Sequence, residues 1–163
     1  MIRTVIPIPI ETRLALTQFY EDYIACVDSG SLEQWHTFFT EDCLYRVTAR
    51  ENYAAGLPHA AIHCAGIGMI RDRAAAIRDS TYYSPRYVRH FLGGIRVTKM
   101  TQGEIECYAS VMVMESVSDL APYVLFVGEY IDRIATDHNG YLLRDRACIY
   151  DNYRIFNSLV YPI

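Results

Sequence analysis

The sequence predicts an α+β fold in which helices come first and an antiparallel sheet follows. Apolar residues recur at helical spacing through the first half of the chain, which indicates amphipathic helices. From Tyr87 onward, apolar and polar residues alternate within runs that turn-forming segments separate, which indicates strands and hairpins. Helices followed by consecutive strands are typical of the α+β class.

Three helices are predicted in this first half. Thr12 is the expected N-cap of the first helix, and Gly30 is expected to end it. Ser31 and Gln34 have the spacing of a capping box, which predicts a short second helix over "LEQWHTFF". Residues 1–10 include two prolines and are predicted to form an extended arm. The third helix has an apolar face formed by Ile67, Ile70, Ala74 and Ile77.

Five strands are predicted, over residues 43–50, 87–100, 104–117, 123–135 and 141–151. A turn at residues 40–42 precedes the first strand, and residues 51–65 are predicted to form a loop. Gly93 and Gly94 interrupt the second strand with a bend. The fourth strand begins apolar on both faces, which predicts a central strand covered on both sides. The segment "DHNG" is expected to turn the chain into the last strand.

Three helices packed on a strongly curved, mostly antiparallel sheet form a cone with an apolar pocket, the arrangement called the NTF2-like or cystatin-like fold. The length of 163 residues suits one domain over residues 1–163, and no linker or shift in composition divides the chain. This fold name carries no function by itself.

Composition argues against several functional classes. The net charge is −4 and the basic residues are scattered, whereas nucleic-acid binding favours a basic stripe. The apolar runs fall short of the roughly 20 residues that a membrane span needs. Five cysteines, widely spaced among apolar neighbours, predict reduced thiols in a cytoplasmic protein. The 14 tyrosines suit half-buried strands and contact surfaces.

The segment "GLPHAAIHCAGIGM" contains His59 and His63, the most specific candidates for metal ligands. On a helix these two imidazoles would share one face and could bind one ion. Pro58 and the glycines that follow argue against a helix here. On a strand the two residues lie about 13 Å apart, too far for one ion. The prediction is therefore no metal site, with both histidines in a loop.

His90 is the candidate for acid–base chemistry, because it lies in the middle of a strand that would line the pocket of the cone. Its candidate companions are Tyr45, Asp132, Tyr150 and Asp151. In this alternative the chain is a stand-alone dehydratase, isomerase or cyclase that uses His90 with Asp151 or Tyr45. The plainer interpretation is a core or interface histidine held by one hydrogen bond. A ligand-binding module is a third hypothesis.

Five segments carry a family resemblance: "EQWHTFFTEDCLYRVTARENYAAGL", "GMIRDRAAAIRDS", the Arg89-His90 pair, "GEYIDR" and "CIYDNYRI". Together they resemble the small (beta) subunit of aromatic-ring-hydroxylating dioxygenases, from about Phe19 to the end of the sequence. The resemblance is closest to the branch that acts on aromatic carboxylates, such as the small subunits of salicylate 5-hydroxylase and terephthalate dioxygenase. One departure is Gly93-Gly94, where many members have Ser or Thr followed by Asn.

This resemblance implies a structural role. In the family, the large (alpha) subunit holds a Rieske [2Fe–2S] cluster and a mononuclear iron, and a reductase delivers electrons from NAD(P)H. The small subunit has the cone fold, carries no cofactor, metal or catalytic residue, and forms the trimeric base of an α3β3 hexamer. The rows Arg89/His90 and Arg144/Arg146 and the Tyr-rich strands are candidates for the contact surfaces.

Overall fold

A computed structural model describes residues 3–30, 32–79, 83–138, 140–155 and 158–163. The helices in these residues are α1 (Ile10–Ser29), a 3₁₀ helix (Leu32–Phe38), α2 (Arg50–Ala54) and α3 (Ile67–Asp79). The strands are β1 (Phe39–Ala49), β2 (Ile62–Ala65), β3 (Arg86–Leu92), β4 (Arg96–Thr101), β5 (Glu104–Val117), β6 (Tyr123–Asp137) and β7 (Gly140–Tyr150). Ser31 and Asn139, which belong to the predicted capping box and hairpin turn, lie outside the described residues.

Helix α1 starts earlier than its predicted cap. Its N-cap is Pro9 rather than Thr12, and Pro9 supplies no side-chain hydrogen bond to the first turn. Proline favours a helix start because its fixed φ suits the first turn and its missing N–H would have no partner there. The end at Gly30 is confirmed: this residue has φ 76° and its N–H donates to the Val27 carbonyl at 3.1 Å. The buried face of the helix consists of Leu16, Tyr20, Tyr23 and Val27.

The strands form one mixed sheet in the order β2-β1-β7-β6-β5-β3, with β4 pairing β5 beyond the end of β3. β1 runs parallel to β7, and the other described pairs are antiparallel. The predicted helices on a curved, mostly antiparallel sheet are therefore confirmed. The break at Gly93-Gly94 is also confirmed, because it separates β3 from β4.

Two sequence predictions for the region before α3 are wrong. Residues 51–65 are not a simple loop, because they contain most of α2 and all of β2. Residues 40–42 are not a turn but belong to β1, whose register with β7 shifts between Phe39 and Leu44. Such a bulge breaks the alternation of side chains that identifies a strand in sequence.

The core lies between the helices and the inner face of the sheet, which carries Tyr45, Cys107, Asp132 and Arg146 among its buried residues. Trp35, from the 3₁₀ helix, is fully buried there and contacts the rings of Phe39 and Tyr45 edge-on. Such edge-to-face pairs add to the stabilisation that burial provides.

Residues 3–9 lie before α1 and belong to no helix or strand. The N–H of Ile6 donates to the Val97 carbonyl at 2.9 Å. The Arg3 guanidinium pairs with Glu129 at 2.7 Å and lies 4.7 Å from the centre of the Tyr108 ring. This arm thereby attaches to β4, β5 and β6. No helix in the described residues is long and apolar enough to span a bilayer.

Candidate functional site

The interior of the cone contains a fully buried ion pair. Arg146 Nε and Nη2 donate to the two carboxylate oxygens of Asp132 at 3.0 and 2.7 Å. The two residues face each other across β6 and β7, and both side chains are 0% exposed. The bidentate geometry and the hydrogen bonds offset part of the cost of removing two charges from water.

Tyrosines surround this pair. The Arg146 guanidinium carbon lies 5.1, 4.2 and 4.3 Å from the ring centres of Tyr20, Tyr23 and Tyr130. The Tyr20 hydroxyl donates to Asp132. Cation–π contact with three rings stabilises a desolvated guanidinium. Burial raises the pKa of Tyr20, Tyr23 and Tyr130 well above the ordinary value, so their hydroxyls stay protonated.

Residues 158–163, here called the closing segment, contribute side chains to the core. Its residues Val160 and Ile163 are buried. Arg73 on α3 holds the segment from outside, because its Nη2 donates to the carbonyls of Leu159 and Val160, each at 3.0 Å. Inside, the Ile163 N–H donates to the Tyr45 hydroxyl at 2.8 Å. Buried residues of the closing segment thus lie in the interior of the cone.

His90 lies on β3 and faces α1. Its Nδ1 is 2.7 Å from one carboxylate oxygen of Asp28, and its main-chain N–H donates to the other at 3.2 Å. The side chains of His90 and Asp28 are 0% and 6% exposed, whereas the neighbouring Arg89 is largely exposed. Among the described residues, His90 Nε2 has no hydrogen-bond partner. Asp28 therefore fixes the end of α1 to the edge strand β3.

Sequence reasoning found His90 but missed Asp28. The two residues are 62 positions apart, and only the packing of α1 on β3 joins them. A signal was present: Asp28 directly follows Val27, the last buried residue of the apolar face of α1.

The structure does not bring the predicted companions to His90. Tyr45 lies on β1, four strand spacings from β3, or about 19 Å along the sheet. The Asp151 carboxylate accepts from Arg50 Nε at 2.6 Å, and both side chains are substantially exposed. Asp132 forms its ion pair with Arg146 instead. Tyr150 is the last residue of β7. None of the four predicted companions has a hydrogen bond or ion pair with His90 among the described residues.

The histidine pair lies at the surface. His63 is on β2, so the prediction of a loop is wrong for this residue, whereas His59 precedes that strand. Both histidines line a groove of about 350 Å³. The Thr48 hydroxyl donates to the His59 carbonyl at 2.7 Å and positions the connection. In the described parts of the chain, no three His, Cys, Asp or Glu side chains form a group suited to a metal ion. The donor set for an iron–sulfur cluster or a mononuclear iron is therefore not assembled by these residues.

The outer face of the sheet has an apolar patch on β3, β5 and β6. Phe91, Met112 and Val127 lie side by side on β3, β5 and β6, and Phe91 is 52% exposed. Tyr87, which is 79% exposed, and Val124 extend the same region. We call these residues, together with Met114, the outer apolar face. Two of the predicted surface residues do not belong to a surface, because His90 and Arg146 are buried.

Comparison with known proteins gives the family. The SnoaL-like domain family matches residues 9–147. The anthranilate 1,2-dioxygenase small subunit of Burkholderia cepacia is 32% identical over 141 residues, which are 86% of this chain and 88% of that protein. The chain belongs to the small subunits of aromatic-ring-hydroxylating dioxygenases.

Two further small subunits are similar. Subunit beta 1 of the terminal oxygenase component of terephthalate 1,2-dioxygenase, from Comamonas sp., is 31% identical over 85% of this chain and 90% of that one. A crystal structure from Novosphingobium aromaticivorans, assigned as the beta subunit of an aromatic-ring-hydroxylating dioxygenase, has a TM-score of 0.86 and 34% identity. The matched region covers 94% of this chain and 98% of the Novosphingobium chain. The resemblance and the NTF2-like fold predicted from the sequence are both confirmed.

Proposed function

We propose that this small subunit has a structural role: it assembles with a large oxygenase subunit and stabilises it, and the complex hydroxylates an aromatic carboxylate. The observation that carries this proposal is the filled cone. Asp132, Arg146, Val160 and Ile163 are buried there, so this part of the cone is occupied by side chains of the described residues. The substrate class follows from the relatives, which are subunits of enzymes for anthranilate and terephthalate.

The redox groups in this proposal belong to the large subunit. A Rieske [2Fe–2S] cluster and a mononuclear iron would lie there, with electrons supplied from NAD(P)H through a reductase. We propose an α3β3 assembly with a trimer of small subunits, in the cytoplasm. The five cysteines support a reducing compartment, since all are free and four are buried.

The outer apolar face is our candidate for a subunit contact. The sequence pattern of β6 predicts a strand covered on both sides, yet in the single chain only the inner side is covered, and Val124 and Val127 are exposed. Exposed apolar patches of this kind are typical of surfaces that contact another protein. The outer face of β6 would then be covered in the complex.

Co-expression with a Rieske-type large subunit tests the proposal. We expect one red-brown assembly on size exclusion, with iron in the large subunit and oxygenase activity that depends on this chain. The His90→Ala variant should support the same turnover per assembled complex, because His90 has no part in the reaction. Failure to co-elute with any large subunit of the aromatic-carboxylate branch would contradict the proposal.

The rival hypothesis, a stand-alone cone enzyme, predicts the opposite pattern. The isolated, colourless chain would then turn over a substrate, and His90→Ala or Asp28→Asn would abolish that activity. The Asp28–His90 pair is the observation that favours this rival, because an aspartate commonly orients a catalytic imidazole. Against it, the side chain of His90 is 0% exposed.

A further inference from the structure

An open groove of about 530 Å³ lies beside α3, at the edge of the sheet that β2 forms. Residues of β2, α3 and the closing segment line it, and we call it the Arg73 groove after the arginine of α3 in its wall. Its volume is within the range of roughly 300–1,000 Å³ that is typical of small-molecule sites. The outer apolar face belongs to β3, β5 and β6, so this groove is a separate feature of the molecule.

The lining of the Arg73 groove is mainly apolar. Ile62 and Cys64 contribute to it from β2, Met69 and Ile77 from α3, and Leu159 from the closing segment. Ile62, Cys64 and Ile77 are buried, whereas Met69 is 45% exposed. Such a lining favours a ligand with an apolar body, because contact between the two removes apolar area from water.

Arg73 places a positioned positive charge in this lining. Its Nη2 donates to the carbonyls of Leu159 and Val160, each at 3.0 Å, so the guanidinium is held in place before a ligand binds. Carbonyls carry no net charge, and no carboxylate of the described residues forms an ion pair with Arg73. Burial raises the pKa of the Cys64 thiol, and the charge of Arg73 opposes that rise. The cation therefore acts on the groove itself.

Asp72 also lines the groove and brings a negative charge. It is exposed to solvent, whereas Arg73 is half-buried. Water and salt screen an exposed charge more strongly than a partly buried one, so the positive charge of Arg73 has the greater effect inside the groove. A guanidinium binds a carboxylate through charge-assisted N–H···O bonds, which are stronger than bonds to a neutral oxygen.

We propose that the Arg73 groove binds a small apolar monocarboxylate. The carboxylate of this ligand contacts the Arg73 guanidinium, and its apolar body lies against Met69, Ile77 and Leu159. Because Arg73 also holds the closing segment, the ligand joins a contact that already connects this segment to α3. The inference is independent of the assembly with a large subunit, since every residue that it uses belongs to this chain.

NMR of isotope-labelled methionine methyl groups tests the proposal on the isolated full chain, with benzoate as the probe. The aromatic ring of benzoate shifts the signal of a methyl group close to it, and Met69→Leu assigns the signal of Met69. We expect benzoate to shift the Met69 signal saturably, with a dissociation constant of about 1 mM or less. Met112 and Met114, on β5, are internal controls whose signals should not move.

Two comparisons test the role of the charge. Benzamide has nearly the shape of benzoate but no charge, so it should bind about tenfold more weakly. Arg73→Gln should weaken benzoate binding to the level of benzamide. Arg71→Gln is the matched control, because Arg71 is an exposed residue of α3 that does not line the groove. A Met69 signal that benzoate does not shift, or equal affinity for benzoate and benzamide, overturns the proposal.

A second variant covers the case in which Arg73→Gln does not fold. Ala76 lines the groove and is exposed, so Ala76→Phe fills the groove without adding a side chain to the core. Its circular dichroism spectrum should match that of the unsubstituted chain, and benzoate should no longer shift the Met69 signal. If benzoate binds Ala76→Phe as tightly as the unsubstituted chain, it does not occupy this groove and the proposal is wrong.

Discussion

Asp132 and Arg146 show how a single pair can organise an interior. Their side chains are inaccessible to solvent, so each charge depends on the other and on the tyrosines around them. Buried pairs of this kind contribute little net stability compared with well-packed apolar residues. Removing one partner lowers the stability strongly, because the other charge is then buried without a partner.

Asp132→Asn should therefore lower the free energy of unfolding by about 3–5 kcal/mol, because it leaves the Arg146 cation unpaired in the core. Urea denaturation measures the effect. Asp79→Asn is the matched control: its pair with Arg78 is more than half exposed, so the loss should be much smaller. Equal losses in the two variants would contradict this view of the core.

The buried thiols predict a loss of stability at alkaline pH. Burial raises the pKa of Cys107 and of Cys148 to about 12, from the ordinary value of 9.0. Below pH 9 both thiols are protonated in the folded and the unfolded chain, and the stability is complete. Between pH 9 and 12 only the unfolded chain releases these protons, so the free energy of unfolding should fall as pH rises.

Urea titrations at pH 8 and pH 10 check this dependence. The variant with Cys107→Ala and Cys148→Ala should lose less stability over the same interval, because the two linked protons are absent. An unchanged slope would show that other groups, such as the buried tyrosines, dominate the pH dependence.

Between elements, β6 and β7 approach each other too closely for a side chain at Gly128. A Cβ built there would lie 1.9 Å from the Ile149 carbonyl oxygen, which is backbone and has little freedom to move. Gly128→Ala should therefore cost more than about 3 kcal/mol or prevent folding. Gly94→Ala, where a Cβ meets no atom within 4 Å, should have a small effect. Thermal denaturation of the two variants gives the comparison, and similar melting temperatures would refute the prediction.

Asp28 joins α1 to β3, since its carboxylate accepts hydrogen bonds from the main-chain N–H and from Nδ1 of His90. Asp28→Ala should lower the free energy of unfolding by about 1–3 kcal/mol, because those buried donors lose their partner. Hydrogen exchange at the His90 amide should become faster than in the unsubstituted chain. Asp22→Ala, on the exposed side of α1, serves as the control and should change neither quantity. An unchanged exchange rate at the His90 amide would show that Asp28 does not protect this N–H from exchange.

The sequence predicted elements well where their periodicity was long and unbroken. All four residues predicted for the apolar face of α3 are buried, and β5 and β6 begin and end at or near their predicted residues. α2 was missed because it has only 5 residues and none is buried, so it shows no apolar face. β2, with 4 residues, is too short for its alternation to stand out.

The error at Arg146 has a specific cause. Arg144 and Arg146 are two positions apart and would share a face in a regular strand. The register with β6 shifts there: Leu143 pairs with Ile134 and Asp145 with Arg133, so Arg144 is the extra residue of a bulge. The bulge reverses the alternation and turns Arg146 inward. Register shifts of this kind depend on the partner strand, and the sequence of one strand does not reveal them.

For the whole molecule, the family and the cone were predictable, but the candidate site was not. The resemblance rests on segments spread along the chain, and their joint presence identified the small subunits. The contents of the cone depend on long-range pairs such as Tyr45 with Ile163, 118 positions apart, which no local pattern indicates.

The outer apolar face gives a prediction at this scale. Adding charge there with Phe91→Glu and Val127→Glu should abolish co-elution with the large subunit, because it would bury two carboxylates in a contact. The isolated variant should retain its circular dichroism spectrum, since both side chains already face outward. Leu14→Glu, at a residue of α1 that is 63% exposed, should leave assembly intact. Normal assembly of the double variant would exclude this face as the contact.

The parallel pairing of β1 with β7 also limits how the chain reaches its fold. Arg46 and Asp145 form an ion pair across these strands although they are 99 positions apart in the sequence. Until β7 has been synthesised, β1 lacks its central neighbour and has only the four-residue β2 beside it. Contacts of such long range slow folding, because the loop must close before they form. A nascent chain therefore exposes one edge of β1 through most of its synthesis, the stage at which aggregation competes with folding.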